Sequence, residues 1–231
     1  MITHVSFDAD DTLWEFDLVM RAALERALRE LYDSHLDLPA ARALTLADLI
    51  AVRERIDEQD GLEQVSLRER RLMAFAATLE QLGRPDPALA ELLTQRFMDD
   101  RSALVEPYPD VLPMLARLDG RYVIGIVSNG NADLEAGALR GRFAFRVHAD
   151  DHGVAKPDPR LFEVVFAQTG CRPAELVHVG DDPVFDVAGA RAAGVHAVWL
   201  NRDGRPNASG IEPDSEIRTL AELPALLEGL A

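Results

Sequence analysis

Short apolar runs separated by one-sided patterns fill the second half of the chain, whereas the first hundred residues carry almost only the one-sided kind. Thr3 to Phe7, with Val5 and Phe7 apolar, is short and ends in acidic residues, which predicts a buried strand rather than a helix. Similar runs recur at Tyr122–Val127, Phe143–Val147, Leu176–Val179 and Val195–Leu200. Between these later runs, the stretches around Asp133–Leu139, Pro159–Thr169 and Val184–Ala193 are apolar on one side and predict helices. Strands and helices alternating over short links predict a parallel sheet covered on both faces, with right-handed crossovers.

Residues 16–100 contain no strand-like run and four successive amphipathic patterns. Met20, Leu24, Leu28 and Leu31 line one helix face, with Asp17 placed to cap its start. Thr45 to Asp48 and Ser66 to Glu69 have capping-box spacing before two further patterns, and Gly83 supplies a stop. The fourth, Leu89, Leu92, Leu93 and Phe97, follows Pro87, which a first helical turn tolerates. The expected organisation is an α/β core of residues 1–15 and 101–231, interrupted after its first strand by an all-helical insertion, residues 16–100. An insertion at that point belongs near the carboxyl ends of the strands, where open α/β sheets bind ligands.

Composition narrows the partners. A chain of 231 residues with 48% hydrophobic content can bury a core. The net charge of −16 argues against nucleic acid, whose phosphates are bound through clustered Lys and Arg. With no signal-like start and no apolar run of membrane-spanning length, the expectation is a soluble, cytoplasmic protein without membrane contact. Cys171 is the only cysteine, so neither an intrachain disulfide nor a thiolate metal cluster can form.

The candidate chemistry sits at the strand ends. Asp8, Asp10 and Asp11 crowd the turn after the first strand, and Asp181, Asp182 and Asp186 follow a later one. Carboxylates this close push one another towards protonation, and a hard divalent cation such as Mg2+ relieves that; the alternative is a solvated acidic turn. Ser128-Asn129-Gly130 offers a hydroxyl and backbone amides suited to an anion, or is merely a turn. Lys156 stands beside the rigid Pro157-Asp158-Pro159 turn and reads either as an anion partner or as a solvated side chain. Trp14 and Phe16 could face a base or sugar or belong to the core, and Arg68, Arg70 and Arg71 form either an anion contact or a solvated helix face.

In this order, these segments resemble the haloacid dehalogenase superfamily of hydrolases. Its signature is Asp-x-Asp-x-Thr after the first strand, Ser or Thr after the second, Lys before a helix, and Gly-Asp-Asp or Gly-Asp-x-x-x-Asp after the fourth. Asp8, Asp10, Thr12, Ser128, Lys156, Gly180, Asp181, Asp182 and Asp186 all match. The resemblance implies a Rossmann-like parallel sheet core with an inserted all-helical cap of the family's type 1. Lys156 to Pro159 with Phe162 resembles the phosphatase branch, and Asp11 departs from the Gly that many members carry.

That branch implies an Mg2+-dependent phosphomonoester hydrolase acting on a small phosphorylated metabolite, such as a nucleotide or sugar phosphate, through an aspartyl-phosphate. Asp8 would be the nucleophile and Asp10 the general acid/base. Thr12, Ser128, Asn129 and Lys156 would serve the loop and the phosphoryl group. Asp8, the Asp10 main-chain carbonyl and Asp181 would hold Mg2+, with Asp182 and Asp186 behind them or acting through water. A cis peptide is expected at Lys156–Pro157. The rivals within the superfamily are a 2-haloacid dehalogenase, which needs no metal and lacks an acid at the position of Asp10, and a phosphomutase, which shares every core residue named. A rival of another class is a non-catalytic binding module that has kept the fold.

Overall fold

The computed structural model describes residues 1–34, 39–62, 65–135 and 137–230. The chain forms two compact units, residues 1–15 with 106–231, and residues 16–105. The first carries a six-stranded sheet: β1 (His4–Phe7), β2 (Val123–Ser128), β3 (Phe145–His148), β4 (Leu176–Gly180), β5 (His196–Leu200) and β6 (Ser215–Ile217). Its order is β3-β2-β1-β4-β5-β6, and every pairing is parallel. The central strands are near-continuous apolar runs because both their faces are covered, with Val5, Phe7, Ile126, Val177 and Val179 fully buried.

Ten α-helices occur among the described residues. Those of residues 16–105 are α1 (Phe16–Ser34), α2 (Pro39–Ala43), α3 (Leu46–Asp57), α4 (Leu67–Gln81) and α5 (Pro87–Ala103). The sheet unit adds α6 (Val111–Leu118), α7 (Ala149–His152), α8 (Arg160–Thr169), α9 (Ala188–Ala192) and α10 (Leu223–Gly229). None of the described helices is long and apolar enough to cross a membrane. Thr45 and Ser66 form the anticipated capping boxes, each side chain accepting from the backbone N–H three residues on while the acidic side chain there accepts from the cap N–H. The helical unit closes on Met20, Leu24, Leu31, Phe75, Leu79, Leu93 and Phe97.

The structure corrects several local expectations. Asp17 lies inside the first turn of α1, where its carboxylate accepts from Arg21 Nε at 2.6 Å, instead of preceding the helix as a cap. The stretch Asp133–Leu139 is a run of turns, apart from residue 136, which lies outside the described residues. There the Asp133 carboxylate accepts the Glu135 N–H at 2.9 Å, an Asx turn that competes with helix bonds, and Gly137 weakens a helix further. Leu134 and Leu139 are buried all the same. The α2 turn and the edge strand β6 went unread: three residues with only Ile217 buried give no periodic signal.

Each capping box satisfies donors that a bare helix start leaves open. Ser66→Ala is therefore expected to lower unfolding stability by ~1 kcal/mol, measured by urea denaturation followed through helix signal; an unchanged midpoint would contradict the capping geometry.

Candidate active site

Phe7 lies opposite Ile126 of β2 and Val179 of β4, so the chain leaving β1 emerges between the carboxyl ends of those strands. The Asp8 N–H continues the ladder by donating to Val179 O at 2.8 Å. Asp8 and Asp181 therefore follow β1 and β4, and Ser128 ends β2 between them and β3, where the strand order turns back on itself.

Lys156 joins them. Its side chain is almost wholly buried, and its ammonium donates to Asp8 Oδ1 at 2.6 Å, Asp186 Oδ1 at 2.6 Å and Val127 O at 2.8 Å, which accounts for all three of its protons. The Lys156–Pro157 peptide is cis, as the sequence led one to expect. Asn129 anchors the same loop: its amide accepts from Lys156 N at 2.8 Å and donates to Lys156 O at 3.0 Å. The Asn129 side chain is thus engaged with backbone, and only its main chain remains to face an anion.

Glycine makes room for two of the acids. A Cβ on Gly130 would lie 2.5 Å from Asp10 Oδ2 and 3.3 Å from Ser128 Oγ, so the Asp10 carboxylate and the Ser128 hydroxyl meet over that residue. A Cβ on Gly180 would lie 2.1 Å from the Asp186 carboxyl carbon. Ser128 Oγ accepts the Gly130 N–H at 3.0 Å, Thr12 Oγ1 donates to Asp181 Oδ1 at 3.2 Å, and Trp14 Nε1 donates to Asp10 Oδ1 at 3.0 Å. Trp14 is buried, which settles it as core. Asp182 caps the turn Pro183–Val187, its carboxylate accepting from the N–H groups of Val184 and Phe185 at 2.6 and 3.0 Å.

Asp8, Asp181 and Asp186 each offer an oxygen within 4.8 Å of the others. One buried ammonium serves Asp8 and Asp186, while Asp181 has only the exposed Arg205, whose Nη2 stands 3.7 Å from its Oδ2, and the protonation tendencies reflect the deficit. Burial pushes Asp186 up, but Lys156 and His178 outweigh it and hold this carboxyl well below its ordinary range. Burial pushes Lys156 down, yet Asp186 and Asp8 hold it above the usual lysine range. Asp8 goes the other way: burial raises it, Asp186 and Asp10 add to the rise, and Lys156 offsets only part. Asp181 is pushed up to about 7 by burial, Asp186 and Asp11. Without a further positive charge, Asp8 and Asp181 thus drift towards the neutral form. A divalent cation among these oxygens would supply the missing charge, so the donor set fits a hard ion.

A family model described as haloacid dehalogenase-like hydrolase matches residues 2–194. The chain belongs to this hydrolase family. A phosphoserine phosphatase of Thermus thermophilus is 31% identical over 94% of the chain and 95% of its own length. Among solved structures, a 2-haloacid dehalogenase from Pseudomonas syringae pv. Tomato DC3000 is 33% identical, with full coverage of both chains and a TM-score of 0.83. The HAD-hydrolase YfnB of Bacillus subtilis, solved bound to magnesium, is 25% identical over 98% of each chain, with a TM-score of 0.71.

The structure also explains this hydrolase's departure at Asp11. Its φ of 59° is the left-handed conformation that glycine adopts freely and that Asp tolerates better than most side chains. Ser6 and His178 escaped the sequence reading. His178 Nε2 lies 3.3 Å from Asp186 Oδ1, and its Nδ1 lies 2.9 Å from Ser6 Oγ, both residues being fully buried in neighbouring strands. The available signal was a histidine inside an apolar run, where a buried polar group needs partners. Arg202 was missed as well; it braces the acidic loop by donating to Thr12 O at 3.0 Å while gripping Asp110.

Both tryptophans of the chain touch this site, Trp14 through the Asp10 carboxylate and Trp199 through the Asp181 carbonyl at 2.9 Å. Titration with a divalent cation is therefore expected to change tryptophan emission. Because Asp8 and Asp181 must lose protons whose affinity is raised, binding is expected to be tighter at pH 8 than at pH 6. Emission unaffected by the cation, or affinity independent of pH, would contradict the assignment.

Proposed function

We propose that this hydrolase is a Mg2+-dependent phosphatase that cleaves small phosphorylated metabolites through an aspartyl-phosphate on Asp8. The observation that carries the reading is the buried charge pattern: three carboxylates and one ammonium at the strand ends, with a separate carboxylate, Asp10, over Gly130 and Ser128. The relative named for phosphoserine and the relative solved with magnesium both support it.

Lys156 holds Asp8 by one oxygen, leaving the other to attack phosphorus in line. As the new oxygen–phosphorus bond forms and the ester bond breaks, Asp10 gives its proton to the leaving oxygen. Asp10 then takes a proton from the water that attacks phosphorus, which releases phosphate and restores the Asp8 carboxylate. Lys156, the Ser128 hydroxyl and backbone amides near Asn129 stabilise the phosphoryl oxygens. Mg2+, held by the carboxylates of Asp8 and Asp181 with the Asp10 carbonyl, would supply charge neutralisation of the phosphoryl group. Asp186 orients Lys156, Asp182 holds the turn that carries Asp186, and Thr12 orients Asp181. Residues 1–15 and 106–231 act as the catalytic core, residues 16–105 as a substrate-selecting cap, and the enzyme works in the cytoplasm.

The dehalogenase reading has one specific support, the 33% identical solved structure of that name. Asp10 weighs against it, since displacement of halide needs no acid for the leaving group. The expected outcome is turnover of p-nitrophenyl phosphate that EDTA abolishes and that Asp8→Asn lowers by about four orders of magnitude, with no chloride release from 2-chloropropionate. Full activity with EDTA or in Asp8→Asn sinks the proposal, and metal-independent chloride release establishes the rival.

A further inference from the structure

Ser6 of β1 and His178 of β4 stand opposite each other in the ladder, so their side chains share one face of the sheet. Their neighbours in that row are Gly125 of β2 and Ala197 of β5. Both are fully buried, and what covers them is apolar. Phe162 of α8 sets its ring edge-on to the His178 imidazole, with centroids 5.0 Å apart and planes 79° apart, and Leu176, Ala190 and Ala197 belong to the same cluster as Phe162. A hydroxyl and an imidazole in such a place are costly unless partnered, and a pair of apolar side chains would fill it without that cost.

The partners that are present lead to the nucleophile. Ser6 Oγ lies 2.9 Å from His178 Nδ1, and His178 Nε2 lies 3.3 Å from Asp186 Oδ1. That same Asp186 oxygen accepts from Lys156 Nζ at 2.6 Å, and Lys156 Nζ donates to Asp8 Oδ1 at 2.6 Å. Chemistry fixes the direction of the chain. An ionised Asp186 can only accept, so the hydrogen of a neutral ring sits on Nε2. Burial, with Lys156, holds His178 below the ordinary histidine range against the pull of Asp186, which keeps the ring neutral. Nδ1 is then bare and accepts the Ser6 hydroxyl hydrogen, whose other acceptor, Val177 O, is farther away at 3.4 Å. The Asp182 N–H donates to the second Asp186 oxygen at 3.0 Å, so donors grip both oxygens and set the rotation of the carboxylate.

We propose that Ser6 and His178 are positioning residues: the hydrogen-bond chain from Ser6 through His178 and Asp186 aims the Lys156 ammonium at Asp8 from inside the sheet. The proposal rests on the reading of Asp8 as nucleophile. Neither residue touches the reacting atoms. A pair kept only for packing is replaceable by apolar side chains, whereas a pair that aims Lys156 needs a donor at the place of Nε2.

The test compares His178→Leu, which removes that donor, with His178→Gln, whose amide can still donate to Asp186, and with Ser6→Ala. His178→Leu is expected to lower kcat for p-nitrophenyl phosphate about 10-fold, with KM within about 2-fold of the parent's, while unfolding within ~3 °C of it. His178→Gln is expected to regain most of the loss, and Ser6→Ala to lose about 3-fold in kcat. A folded His178→Leu with the parent's kcat, or His178→Gln no faster than His178→Leu, overturns the proposal. A second measurement needs no turnover. With nitrogen-15-labelled histidine, the ring resonances of the parent that vanish in His178→Gln are expected to place the hydrogen on Nε2 and the bare nitrogen at Nδ1. A hydrogen on Nδ1 overturns the proposal, even where His178→Leu fails to fold. A parent that turns over no phosphomonoester contradicts the phosphatase reading instead, and the ring tautomer then decides between a chain directed at Lys156 and none.

Discussion

The Lys156 ammonium, donating to Asp8, Asp186 and a β2 carbonyl in a nearly dry setting, is the contact on which the catalytic unit depends. It joins the loops after β1 and β4 to the carboxyl end of β2 and sets the electrostatic problem of the site. Its single charge is shared between two carboxylates within hydrogen-bonding distance, and a third carboxylate, Asp181, lies beside them. Asp186 retains its negative charge, braced by His178 and by the Asp182 N–H at 3.0 Å. Asp8 and Asp181 are left short of positive charge, which favours a divalent ion and, once it is bound, an ionised Asp8.

Much of the sheet unit serves this arrangement. The order that places β1 between β2 and β4 brings three loop sequences, widely separated along the chain, to one edge. Gly130 and Gly180 are needed where carboxylates approach the backbone too closely for a side chain, and the left-handed turn at Asp11 redirects the chain between Asp10 and Thr12. Arg202 then ties the Thr12 carbonyl to Asp110, whose carboxylate also accepts from Thr219 Oγ1 and the Leu220 N–H. The acidic loop is thereby held from the C-terminal part of the chain as well as from the sheet.

The strands were legible because parallel strands buried on both faces leave unbroken apolar runs, as Leu176–Val179 does. The capping boxes at Thr45 and Ser66 were legible because they are local, each confined to four residues. The turns at Asp133–Leu139 were misread because their buried leucines and small residues form an apolar stretch, while an Asx bond and Gly137 decide the backbone. At the site, the acids and Lys156 stood out as charges at strand ends. Ser6, His178 and Arg202 did not, because their roles come from partners more than 90 residues distant or from the opposing strand. The engagement of Asn129 with Lys156 was likewise hidden, since Ser-Asn-Gly advertises a turn but not the loop it will grip. The Arg70-Arg71 pair was visible, but Arg53 and Asp57 join it only when α3 and α4 pack.

The central claim is that Asp8 becomes covalently phosphorylated, and it is tested most directly by rapid acid quench of the enzyme turning over a radiolabelled phosphomonoester, followed by peptide mapping. The account predicts label on the peptide containing Asp8, appearing before free phosphate accumulates and absent from Asp8→Asn. Turnover that leaves no label on the chain at any quench time, or label on another residue, would contradict it.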